Sequence, residues 1–205
     1  MPLFCINEIA PLIHLAIWEI DESLTDLVGK YPLLSADIEI LSKQNKSKTR
    51  VLEKIITKLL LTNLFNTPSE NPIVVYDSNN KPSLSNGCNI SISHTKRYVA
   101  VIISKEKSVA VDIEMKAERV LKISKHFLRN DENVCGLRDT TIAWCAKETL
   151  YKLKSERHLQ TSEMRVSNIP QAIIGDFYIE DTTSGDIYNI YYVDMKDAIL
   201  TYSFV

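Results

Sequence analysis

Glycine is scarce: the five in 205 residues, Gly29, Gly87, Gly136, Gly175 and Gly185, lie too far apart to form a Walker loop or a GxGxxG turn. Any phosphate must therefore be held by side chains and metal. Cysteine is equally thin, since Cys5, Cys88, Cys135 and Cys145 form no CxxC pair and no histidine stands at metal-ligand spacing from them, which excludes a zinc site. His14, His94, His126 and His158 cannot make HExxH, and there is no GxSxG, so zincin and serine-hydrolase chemistry fall away. Charge of one sign is also missing. Twenty-four basic residues against 26 acidic ones leave a formal charge of -2, too little for a global field that would hold nucleic acid or an anionic membrane. The opening MPLFCINEIAPLIHLAIWEI has no basic residue before Glu8 and no uninterrupted apolar span of about 18 residues, so it reads as the start of a cytoplasmic protein with reduced thiols.

What is present is a chain able to bury a core, with 45% hydrophobic and 24% charged residues. LIHLAIWEI reads as an early strand, Glu22 to Gly29 as a short helix, and Lys43 to Phe65 as a long helix with Val51, Leu52, Ile55, Ile56, Leu59 and Leu60 on its buried stripe. On that helix Arg50, Lys54 and Lys58 share a face, either a solvated flank or a rim that meets an anion. IVVYDSNNKPSL reads as a strand and polar turn, and NISISHTKRYVAVIIS as a hairpin with His94 in its loop. SVAVDIEM is a further strand, Glu118 to Lys125 and TIAWCAKETLYKL are helices, and the tail from Asp176 holds three β-rich runs, an antiparallel meander. Helix and strand in each half predict an α+β chain of two similar lobes, 1–108 and 109–205, each a small antiparallel sheet packed on helices, with the site in the cleft between them.

Two segments can carry chemistry. In Val109 to Glu114 strand alternation puts Asp112 and Glu114 on one face, where they repel unless solvated or bridged by a cation; Ala110 beside them leaves room for a bulky ligand. On the helix from Thr141 to Leu153, Ile142, Ala146, Thr149, Leu150 and Leu153 face inward. Trp144, Lys147, Glu148, Tyr151 and Lys152 fall opposite, a face that suits a hard cation on Glu148 and phosphate oxygens on Lys147 and Lys152. The same patterns fit a wet strand face and a Trp half-covered by a loop.

In order and spacing, SISHTKRYVAV, VAVDIE, HFLRNDE and AWCAKETLYKL, with NNKP and the basic helix at Arg50 upstream, resemble the 4'-phosphopantetheinyl transferase superfamily in its two-lobed monomeric branch. The match runs from about Arg50 to Lys152, half the chain; Ala110 replaces a usual Gly and Cys145 a common Ser. The resemblance implies transfer of phosphopantetheine from coenzyme A to a serine of an acyl or peptidyl carrier protein. It implies magnesium, with manganese as a substitute, on Asp112, Glu114 and Glu148, and Lys147 and Lys152 near the phosphates. Arg50, Lys81 and His94 would contact the nucleotide end of coenzyme A. Glu132, in HFLRNDE, is the expected general base, with Glu148 and Lys152 as the other catalytic groups. Two other readings are a coenzyme A-binding module that has lost transfer, and a magnesium-dependent phosphoryl-transfer enzyme acting on another nucleotide.

Overall fold

The computed structural model describes residues 3–65, 72–77 and 81–205. The polar turn expected at Ser78 to Asn80 lies outside them. The chain opens with a hairpin of β1 (Leu3–Ala10) and β2 (Ile13–Glu19), where a single strand is expected from the sequence. Its two-residue turn, Pro11-Leu12, contains no glycine, yet Leu12 takes φ 61° and donates its N–H to Glu8 Oε1 at 3.0 Å.

Helix α1 (Leu24–Lys30) begins at a reciprocal cap: Ser23 Oγ accepts the Asp26 N–H at 3.2 Å while Asp26 Oδ2 accepts the Ser23 N–H at 2.8 Å. The helix expected from Lys43 to Phe65 is α3 (Lys48–Phe65); Lys43 and Gln44 instead end a separate helix, α2 (Leu34–Gln44), for which the sequence raises no expectation. Asn45 causes the break, because it is extended (φ -126°, ψ 124°) and its side-chain amide donates to Leu41 O at 2.8 Å, terminating α2.

Strands β3 (Val74–Tyr76), β4 (Pro82–Leu84), β5 (Asn89–His94) and β6 (Tyr98–Ser104) complete a six-stranded antiparallel sheet in the order β1-β2-β6-β5-β4-β3. His94 is the last residue of β5, opposite Val99, and not a loop residue. After Ser104 the chain enters a second, five-stranded antiparallel sheet. Strand β7 (Val109–Met115) is its edge, followed by α4 (Glu118–Ile123), α5 (Gly136–Leu153), β8 (Met164–Val166), β9 (Ile174–Asp181), β10 (Asp186–Asp194) and β11 (Ala198–Phe204), in the sheet order β7-β11-β10-β9-β8. The protein is thus α+β, with two antiparallel sheets and five α-helices among the described residues. Among the described residues no helix is long and apolar enough to cross a membrane.

Three apolar clusters fix the layers. Ala16, Trp18, Val99 and Val101 pack against Leu27, Leu34, Val51, Ile55 and Leu60 of the first three helices. Ile13, Leu15, Ile17, Ala100 and Ile102, on the other face of the same strands, pack against Val111, Ile113, Ala198 and Leu200 of the second sheet. The far face of that sheet holds α5 through Ile142, Ala146 and Leu150. Covered on both sides, β6 is buried at every position, which explains its unbroken apolar run.

The sheets are joined by side chains. Ser91 Oγ and Ser93 Oγ, on β5, accept the backbone N–H groups of Val111 and Ile113, on β7, at 3.1 and 3.2 Å. Those edge amides are buried and no neighbouring strand takes them, so the serines meet a requirement that a sheet edge away from water always poses. Ser91→Ala removes the acceptor for the Val111 amide and is expected to lower unfolding free energy by about 1–3 kcal/mol. Urea denaturation checks this, and a change below about 0.5 kcal/mol would make the bond dispensable.

Candidate active site

A cavity of about 730 Å³ opens between the two sheets. Arg50, Glu53 and Lys54 come to it from α3, Lys81 from the approach to β4, Ser91 and His94 from β5, and Tyr151 and Lys152 from α5. Four sequence-predicted residues, Arg50, Lys81, His94 and Lys152, therefore share one wall system although they span a hundred residues of chain. The basic row on α3 divides: Arg50 and Lys54 face the cavity, whereas Lys58 turns to Asp37 at 2.6 Å. His158, given no role from sequence, also lines the cavity, with its backbone in the left-handed region (φ 51°).

At the cavity wall Glu53, 8% exposed, ties two of these groups together. Its Oε2 accepts from Arg50 Nη1 at 3.0 Å and its Oε1 lies 3.2 Å from His94 Nδ1, while Arg50 Nη1 also meets His94 Nε2. Because a guanidinium can only donate, Nε2 is the bare nitrogen and Nδ1 carries the proton toward Glu53. Burial holds the His94 pKa below its ordinary 6.5, Glu53 opposes that, and the Arg50 and Lys152 charges add to it. Sequence inspection missed Glu53 because an acid three residues after Arg50 reads as an ordinary surface pair on a helix.

Lys152 connects the cavity to the acids of β7. Its Nζ donates to Asp112 Oδ1 at 2.7 Å and to Val111 O at 3.0 Å. Asp112 is 4% exposed; the same Oδ1 accepts from Ser93 Oγ at 2.7 Å, and Oδ2 is buried with no hydrogen-bond partner. Glu114 Oε1 accepts the Trp144 indole N–H at 3.1 Å, and Trp144 leans on Phe127 with ring centroids 4.9 Å apart. The tryptophan among charges thus orients a carboxylate. Burial and then the Asp112 charge push the Glu114 pKa up, and burial followed by Asp112 does the same to Glu148 despite Lys152. The three acids therefore feel one another across the seam.

Hard oxygen donors, one with a buried unpartnered oxygen, suit a magnesium ion. Among the described residues, however, no three His, Cys, Asp or Glu side chains are arranged as they stand to hold a metal. Asp112, Glu114 and Glu148 are also absent from the cavity lining, so Lys152 is the link between it and them.

Two expected site residues are placed elsewhere. Lys147 is fully buried, donating to Phe127 O at 2.7 Å and Thr161 O at 3.1 Å and pairing with the Glu132 carboxylate at 2.9 Å. Glu132 also accepts the backbone N–H groups of Arg129 and Val166, both at 2.7 Å. Neither side chain is free to meet phosphate or to take a proton: the expected base and one expected phosphate ligand form a structural pair. The segments after α4 and α5 fold over this polar helix face, which a helical wheel cannot show. Ala110 likewise packs into the core against α5, so its small size serves helix packing and leaves no room for a ligand.

Comparison with known proteins finds no protein-family model that matches the chain and no matching curated protein.

Two measurements follow from these placements. Glu132→Gln leaves the Lys147 charge buried without its partner and is expected to cost about 3–5 kcal/mol in chemical denaturation; wild-type stability combined with lost activity would return Glu132 to a catalytic role. The His94 ring is expected to titrate below 6.5 by NMR in the folded protein. Its folded pKa being the lower, the unfolded chain takes the proton first. Its contribution to stability is then complete above 6.5 and declines as pH falls from there toward the folded value. A folded value above 6.5 would refute the assignment of a neutral, half-buried ring.

Proposed function

We propose that the chain is a 4'-phosphopantetheinyl transferase of the two-lobed fold, acting on coenzyme A and a carrier-protein serine. The observation that carries this reading is the shared cavity: Arg50, Lys81, His94 and Lys152, the residues matched to the family's nucleotide and phosphate contacts, line one space of about 730 Å³. That volume lies within the range of small-molecule sites.

The reaction forms a bond from the serine oxygen to the pyrophosphate phosphorus that carries pantetheine and breaks the bond to adenosine 3',5'-bisphosphate, the leaving group. Negative charge grows on the phosphate oxygens, so positioning and electrostatics supply most of the catalysis. Arg50, Lys54 and Lys81 offer cations to the nucleotide end, and Lys152 stands where the cavity meets the acids. Asp112, Glu114 and Glu148 would hold magnesium, which when bound neutralises phosphate oxygens and relieves the repulsion among these carboxylates. With Glu132 sealed in the core and the acids of the seam committed to the ion, the serine proton passes to water at the seam.

The carrier side has a matching surface. Helix α4 exposes Arg119 and Lys122 beside Leu121 and Ile123, each 40% exposed, and Lys125 follows it. Arg119 reaches to 3.9 Å from Glu114, so a partner docked there would bring its serine to the seam. Basic charge around apolar residues fits an acidic amphipathic helix.

A second reading, a coenzyme A-binding protein without transfer, is favoured by the absence of a formed three-acid cluster among the described residues. Incubation of the purified protein with coenzyme A, magnesium and several apo carrier proteins decides between them by mass spectrometry. A phosphopantetheine mass gain supports the transferase, coenzyme A binding without mass gain supports the binding protein, and absence of both discards the cavity assignment. Asp112→Asn is expected to abolish transfer while the metal-free protein stays folded, since the amide oxygen can still accept from Lys152 and Ser93 and relief of carboxylate repulsion offsets the weakened pair. Loss of fold in that variant would give Asp112 a structural role instead.

A further inference from the structure

We propose that Glu53 is the positioning residue of the cavity's anion-binding wall, clamping the Arg50 guanidinium and fixing His94 as the Nδ1–H tautomer before any ligand arrives. The proposal rests on the coenzyme A reading for the identity of the ligand, but the clamp itself stands on geometry. A carboxylate 8% exposed is costly unless it is paired. Both Glu53 oxygens are engaged, Oε2 with Arg50 and Oε1 with His94, and the two partners meet each other, closing a triangle across α3 and β5. These two elements are joined at this point through side chains, so without Glu53 Arg50 and His94 keep only their contact with each other and lose the anchor that sets its direction. Guanidinium N–H groups not spent on the triangle remain to meet a phosphate, held in one orientation.

The arrangement carries a cost that makes it testable by sign. With His94 neutral, the Arg50 and Glu53 charges cancel, as do those of Lys152 and Asp112, so net attraction for a phosphate comes from Lys54 and Lys81. If the wall worked by charge alone, deleting Glu53 would add a positive charge and tighten binding. If Glu53 positions, deleting it weakens binding although the wall has become more positive.

The experiment compares the full-length wild type with Glu53→Ala and Glu53→Gln. In the ligand-free proteins, imidazole ¹⁵N spectra are expected to show His94 with Nδ1 protonated and Nε2 bare in the wild type and in Glu53→Gln, whose amide oxygen can still accept. In Glu53→Ala the two nitrogens are expected to shift toward exchange-averaged values. Calorimetry with coenzyme A is expected to give about tenfold weaker binding for Glu53→Ala, which loses the bond to Arg50 and the contact with His94, and about threefold weaker for Glu53→Gln, which weakens them. Where transfer is measurable, KM for coenzyme A should rise more than kcat falls. Should Glu53→Ala fail to fold, Glu53→Gln answers alone through its affinity.

Tighter binding in either variant, or an unchanged His94 spectrum in Glu53→Ala, overturns the proposal. If the wild type shows the expected tautomer and its loss in Glu53→Ala but binds no coenzyme A, the clamp stands and the ligand assignment falls.

Discussion

Gathering carboxylates on buried backbone demands compensation, and the seam between the two sheets is organised around that demand. Asp112 sits in the middle of the edge strand β7 with 4% exposure, with Glu114 two residues on and Glu148 on α5. Lys152 from the helix and Ser93 from the opposite sheet converge on its Oδ1. One carboxylate thereby draws three elements together, and the cavity begins where Lys152 leaves off. A cation at the free oxygen would complete what the lysine does in part.

Two buried ionic groups illustrate opposite uses of the same physics. The Lys147–Glu132 pair has every partner satisfied by backbone or by its counter-ion, and it fastens the segment after α4 to α5. At the seam Asp112 keeps a buried oxygen without a partner, and burial followed by the Asp112 charge raises the pKa values of Glu114 and Glu148. Complete satisfaction marks a structural pair, and incomplete satisfaction marks a place prepared for something else.

Much of this architecture can be read from residue pattern, and the exceptions have physical causes. The α5 stripe Ile142, Ala146, Leu150 and Leu153 is buried as helical period requires, and the Val109–Glu114 alternation places the acids on one strand face. Strand β1 escapes because its turn uses Leu12 where a glycine would signal a hairpin. The break between α2 and α3 escapes because one asparagine capping backward leaves the apolar period on either side intact. Lys147 and Glu132 escape for a different reason: their burial is decided by segments distant in sequence, and a local pattern contains no record of them. Glu53 is hidden in the same way, its meaning supplied by a histidine on another element.

Ser91 belongs both to the joint and to the cavity wall, since its hydroxyl receives the β7 amide while its side chain lines the space. The aperture and the fastening therefore share one residue. A longer side chain there would wedge the halves apart as it narrowed the opening, so the width of this cleft behaves as a gauge whose setting cannot be altered independently of the fastening.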